Sequence, residues 1–196
     1  MSDQGVPIFP LRTILFPGSK LPLRIFEPRY LDMVSHCMRS NIEFGIVLSR
    51  KVPQPGMLET YATGTLATII DWNQGDDGLL GITTLGTNKF ELLSMTKQED
   101  GLNIGEIKII EHEEDFKAPQ NFDNMISLLG AILDDIDLYE EKEKFFESAS
   151  WVSFRFAEIL PLKIADKQKC LEIDDPILRL NFLEPLIKLI RENSQQ

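Results

Sequence analysis

Apolar side chains follow one spacing up to about residue 116 and another beyond it. Short β-branched or alternating runs come first and helical stripes follow, which predicts a strand-rich part ahead of an all-helical one. Val6 to Phe9, Thr13 to Phe16 and Leu21 to Phe26 are brief apolar stretches cut by Pro7, Pro10, Pro17, Gly18 and Pro22. Proline cannot donate to a ladder, so these read as edge strands, bends or strand ends. Phe44 to Leu48, Gly64 to Trp72 and Leu102 to Ile110 read as further strands. Pro53, Pro55 and Gly56 mark a loop, and Gly75-Asp76-Asp77-Gly78 a turn. Leu79 to Leu85 and Lys89 to Met95 flank Gly86, Thr87 and Asn88, a spacing that predicts a hairpin.

One helix interrupts the strands. After Glu27, Tyr30, Leu31, Val34, Cys37 and Met38 recur at helical spacing, and the pattern ends before Asn41. Pro28 suits the first turn, where a missing N–H costs nothing. The acidic stretch Glu111 to Asp115, followed by Pro119, marks a boundary between two domains, residues 1–116 and 117–196. Beyond it Phe122, Met125, Ile126, Leu129, Ile132, Leu133 and Ile136 form one helical stripe. A second helix starts near Ser150 with Trp151, Phe154, Ala157 and Leu160, and ends at Pro161; a third covers Ile164 to Glu172. The fourth opens with Asp175 as N-cap and Pro176 at the first helical position, and Pro185 is expected to interrupt and kink it.

Composition narrows the setting. Hydrophobic residues are 43% and charged residues 26% of 196, ordinary values for a chain that buries a core. No apolar run approaches the roughly 20 residues of a membrane helix, and Met1 to Gly5 lacks the basic and apolar stretches of a signal peptide. A soluble, cytoplasmic protein is expected. Cys37 and Cys170, isolated inside helical patterns, fit buried thiols in a reducing compartment. The net charge of −11 argues against a general nucleic-acid binder. It is unevenly spread: residues 1–56 carry +3 and the remainder −14, so an anion-attracting surface near the N-terminus stays possible.

The run Phe9-Pro10-Leu11, Leu15-Phe16-Pro17-Gly18, Leu21-Pro22-Leu23-Arg24-Ile25-Phe26-Glu27-Pro28-Arg29-Tyr30 closely resembles the opening signature of the Lon N-terminal, substrate-binding domain family. The likeness continues through Phe44-Gly45-Ile46-Val47-Leu48, Gly64-Thr65-Leu66-Ala67 and Gly86 to Leu92, then Leu160-Pro161-Leu162, Asp166-Lys167-Gln168, Leu171 and Leu180. Lys89, where the family usually has arginine, and Pro185 are departures. The resemblance implies an α+β fold: an N-terminal PUA-like β-barrel with one inserted helix, followed by a C-terminal helical bundle. In Lon the equivalent domain helps capture unfolded or tagged proteins and supports assembly, and it is joined to an ATPase and a serine–lysine protease.

Neither activity has a signature here. Gly81 to Asn88 has the glycine spacing of a phosphate-binding loop, but no lysine follows the second glycine and the segment lies between strands. His36 and His112 are far apart, without paired cysteines, so no metal is expected. His36 and Cys37, adjacent on a helix, point about 100° apart and make a poor base and nucleophile. Asp134, Asp135, Asp137, Glu140, Glu141 and Glu143 read as a solvated helix face, with Leu133, Ile136 and Tyr139 opposite. The expectation is therefore a recognition module with no enzymatic activity, catalytic residue, cofactor or membrane partner. It would take exposed peptide segments or a protein partner in an apolar groove between barrel and helices. Arg24, Glu27, Arg29 and Tyr30 are the candidate binding residues of the first part, with Trp151 and Arg155, one turn apart, in the second. For Glu27 and Arg29 the first reading is as fasteners of the strands to the helix, with binding the second. An RNA-binding module and a small-ligand pocket are the alternatives by resemblance, and the oligomeric state is left open.

Overall fold

The computed structural model describes residues 5–50, 59–111, 115–136, 139 and 143–193, and divides into two compact units, residues 1–112 and 113–196. Pro53, Pro55, Gly56, His112, Asp137, Glu140 and Glu141, named above, lie outside the described residues, as do Met1 to Gln4.

The first unit runs β1 (Val6–Leu11), β2 (Lys20–Ile25), α1 (Pro28–Ser40), β3 (Phe44–Arg50), β4 (Glu59–Gln74), β5 (Leu80–Lys97) and β6 (Asn103–Ile109). These strands form one mixed sheet, β1 parallel to β3 and the other pairs antiparallel. β6 bonds to both β1 and β5, so the ladder β1–β3–β4–β5–β6 returns to its start. β2 hangs on the first part of β5 as an edge strand, which accommodates Pro22.

Two strand expectations are corrected. β1, despite Pro7 and Pro10, is flanked on both sides, by β6 along Val6–Ile8 and by β3 along Ile8–Leu11. The two neighbours meet only at Ile8, so each proline ring faces a single partner and its missing N–H can point to the unpaired side. The Gly86-Thr87-Asn88 stretch is no hairpin: β5 is continuous over 18 residues, its Leu80–Leu85 part against β2 and its Phe90–Lys97 part against β6. Gly86 is there for close approach. Gly18 donates to its carbonyl and its own N–H donates to the Ser19 carbonyl, both at 2.9 Å, while a Cβ would stand 2.3 Å from the Phe16 oxygen. Thr13 to Phe16 correspondingly forms no strand. Leu15 and Phe16 plug the interior, and the Leu15 carbonyl accepts from Thr65 Oγ1 at 2.6 Å.

Successive strand side chains point to opposite faces, so Ile8 and Phe9, Val47 and Ile46, Leu66 and Ala67 divide between two apolar clusters. That double burial explains the unbroken apolar run of β3. The larger cluster takes in Tyr30, Met33, Val34 and Cys37 of α1. Met33 is thus an inward residue, whereas Leu31 and Met38, read as part of the stripe, are exposed. Asn41 ends the helix in the left-handed conformation (φ 50°), the cap residue for which asparagine substitutes for glycine.

The second unit holds α2 (Asp123–Ile136) after one 3-10 turn, α3 (Ala149–Ile159), α4 (Ile164–Glu172) and α5 (Pro176–Asn193). α3 is its centre, touching α2, α4 and α5 and burying Ala149 and Val152 to Ala157. Ser148 caps it, accepting from the Trp151 N–H at 2.8 Å. The Asp175 carboxylate caps α5, accepting from Ile177 and Leu178. α5 is not interrupted at Pro185: the helix runs through it, and both Pro185 and Asn181, whose carbonyl loses its donor, are exposed to solvent. Among the described acidic residues named above, Asp134 and Asp135 are exposed on α2, and Asp134 accepts from Lys144 Nζ at 2.6 Å. No helix of the described residues is long and apolar enough to cross a membrane.

Two expectations follow from this packing. Gly86→Ala should lower stability by about 1–3 kcal/mol in urea unfolding, because the added methyl meets backbone that cannot yield. Cys37 and Cys170 are free and buried, and burial pushes both thiols up from 9.0 to about 11. Unfolded thiols ionise first as pH rises, so their contribution is intact below pH 9 and lost between 9 and about 11. The urea midpoint should fall across that window less in a Cys37→Ala/Cys170→Ala variant, and a thiol reagent at about pH 8 should label neither residue until the chain unfolds.

Candidate binding site

α1 starts where β2 ends, and the start is unusual. Glu27 occupies the N-cap with extended backbone (φ −84°, ψ 132°), and its carbonyl accepts from Tyr30 and Leu31 at 3.0 and 3.1 Å. Its side chain does not cap. It turns instead to Arg29, whose Nη2 donates to Glu27 Oε2 at 2.6 Å. Arg29 Nη1 donates to the Gly101 carbonyl at 2.9 Å, in the turn between β5 and β6. The same guanidinium lies 4.8 Å from the centre of the Tyr30 ring. Tyr30 is buried and stacked on Phe9 of β1, centroids 4.0 Å apart and planes 23° from parallel. Burial raises its phenol pKa, against the opposing pull of Arg29.

These residues border a cavity of about 710 Å³ in the first unit, lined from β1 and its end by Phe9, Leu11 and Arg12, from β2 and its end by Leu23 to Glu27, and from β5 by Met95 to Lys97. Phe26 stands 67% exposed in its wall. Leu23 and Arg24 also line an adjoining depression of about 670 Å³, with Trp72 and the β4–β5 turn. There the expected turn is present: Gly78 has φ +78°, and Asp77 accepts from Leu79 and pairs with Arg24.

Of the six candidate residues, Arg24, Glu27, Arg29 and Tyr30 thus meet around one cavity. Trp151 and Arg155 belong to the helical unit, on α3. Trp151 is half-buried among Tyr139, Phe145 and Phe146 in edge-on contacts of 6.0, 6.2 and 5.5 Å. Arg155 is fully buried, donating to Tyr139 Oη at 2.6 Å with Nε 3.2 Å from Glu158. Such a guanidinium is a strut, not a contact surface. Sequence reading missed Arg179, equally buried, which donates to Ser153 of α3 and to the Cys170 and Ile173 carbonyls at the end of α4. It also missed Phe26 and Trp72. Phe26 had a signal: with Leu21, Leu23 and Ile25 on the inner face of β2, alternation sends residue 26 outward.

The fold and cavity define a two-unit α+β protein whose strand-built unit carries a partly apolar, cation-rimmed cleft. The chain belongs to the family of the ATP-dependent protease La (LON) substrate-binding domain, which matches residues 5–188. A crystal structure of a Lon N-terminal domain protein from Xanthomonas campestris is 32% identical, with a TM-score of 0.77 over 92% of this chain and 97% of that one. The Lon protease of Parabacteroides distasonis is 28% identical over 127 residues, 63% of this chain, and Lon protease 1 of Bacillus subtilis 24% identical over 192 residues, 91% of it. The chain spans only 15% and 24% of the length of these two proteases.

The cleft geometry separates its two ion pairs. Arg29 is 27% exposed and bridges two elements, so Arg29→Ala should cost about 1–2 kcal/mol in urea unfolding. Arg24 and Asp77 are 62% and 43% exposed, so Arg24→Ala should change stability by less than about 1 kcal/mol.

Proposed function

We propose that this chain is a recognition module without enzymatic activity that holds exposed peptide segments of other proteins in the cleft of its first unit. The observation that carries the reading is the cleft's make-up. A rigid apolar floor, Phe9 stacked on Tyr30, lies beside a protruding Phe26, and the charges of Glu27 and Arg29 are fixed at its edge. Affinity for an unfolded segment comes from a few buried aromatic contacts, while surrounding polar groups set orientation. Membership of a substrate-binding domain family supports the same reading. The closed ladder of the first unit is, on this account, a PUA-like barrel used as a scaffold. Buried free thiols accord with work in the cytoplasm.

Labelled casein, a chain without a stable fold, tests this. Fluorescence anisotropy should show binding by the wild type, weakened at least about fivefold in Phe26→Ser, a loss of about 1 kcal/mol or more. Circular dichroism should be unchanged, since Phe26 is exposed. Equal binding by the two proteins would remove the cleft from the account, and hydrolysis of casein or ATP by the pure protein would contradict a non-enzymatic role.

A further inference from the structure

The charge of the cleft runs opposite to that of the chain. The whole sequence carries −11, yet among the described residues lining the cavity Arg12, Arg24, Arg29 and Lys97 are cationic and Glu27 alone is acidic. Two of these charges are already answered: Arg29 by Glu27, and Arg24 by Asp77 from the β4–β5 turn. Arg12, just past β1, and Lys97, at the end of β5, are exposed and have no ion pair among the described residues. Asp100, in the turn after Lys97, accepts from the Leu102 N–H at 2.9 Å, and Glu99 beside it is exposed; both acidic side chains stand next to Lys97 but outside the cavity lining. Within the lining itself the balance of charge is positive, and it lies beside the apolar side chains of Phe9, Ile25, Phe26 and Met95. Charges beyond about 8–10 Å are screened at physiological salt, so the four cations and one carboxylate of the lining weigh more in docking than the net −11 of the whole chain.

Resting on the recognition reading above, we infer that the cleft selects peptide segments in which an aromatic or large aliphatic side chain is flanked by aspartate or glutamate. The apolar side chain packs against Phe26 over the Phe9–Tyr30 stack, and the flanking carboxylates meet Arg12 and Lys97. A segment of the same apolar content flanked by lysine meets like charge, which opposes docking.

Three labelled peptides with one aromatic centre, flanked by glutamates, serines or lysines, distinguish the possibilities in anisotropy titrations with the full chain. The glutamate peptide should bind at least about fivefold tighter than the serine peptide, with the lysine peptide weakest. Raising salt from about 50 to 300 mM should shrink that ratio, because the contacts are solvent-exposed. In an Arg12→Gln/Lys97→Gln variant the ratio should fall toward one. Three peptides bound with equal affinity, or a preference for lysine, would overturn the charge selection and leave peptide recognition standing. A ratio untouched by the double variant would also overturn it. If no peptide binds, or an RNA oligonucleotide binds more tightly than all three with a steep salt slope, the recognition reading falls too.

Discussion

The first unit depends on one close backbone approach. The reversal at Pro17-Gly18 drops onto Gly86, exchanging two hydrogen bonds of 2.9 Å in a space that has no room for a side chain. With that contact made, β5 need not turn back at its glycine. It runs on, offering its first part to β2 and its last part to β6. Because β6 also pairs with β1, the continuous β5 closes the ladder. A hairpin at residue 86 would leave β2 and β6 without a common support, and the plug of Leu15 and Phe16 without a place.

The cleft is a consequence of the same closure. It lies where the ends of β1, β2 and β5 come near the start of α1, so its wall contains residues distant in sequence, Phe9, Phe26 and Lys97 among them. Arg29 shows that fastening the fold and shaping a surface are one task here. Its two terminal nitrogens hold the Glu27 carboxylate and the Gly101 carbonyl, and its plane lies near Tyr30. Glu27, at a helix N-cap, does not use its side chain to cap, which leaves that carboxylate at the cleft.

The helical unit solves a different problem. Helices end on carbonyls that need donors, and of its two buried arginines Arg179 supplies them at the end of α4 while Arg155 binds side chains. Arg179 joins α3 to the end of α4 while its guanidinium lies 3.7 Å from the centre of the Phe154 ring. Arg155 holds Tyr139 and Glu158 together, with Tyr139 also donating to Glu158 at 2.7 Å. Each has hydrogen-bond partners and an aromatic ring nearby, the conditions under which a buried guanidinium is tolerated.

Periodicity and capping chemistry were enough to determine a strand-rich part ahead of a helical one, α1 from Pro28 to before Asn41, α4 from Ile164 to Glu172, and the Asp175-Pro176 start of α5. These are local properties, read from spacing, fixed φ and side-chain donors within a few residues. The Phe9-to-Tyr30 run likewise carried enough local detail to point to the family. What only tertiary structure decided depends on strangers in sequence. Gly86 is a contact and not a turn because Phe16 and Gly18 arrive from far back in the sequence; β1 tolerates two prolines because β3 and β6 divide it between them. Arg155 is buried against Tyr139 and Glu158, and Trp151 is half-buried among Tyr139, Phe145 and Phe146, because those neighbours fold onto α3. A residue's spacing shows which face it takes, but whether that face meets solvent, backbone or a partner charge is settled only by what folds against it.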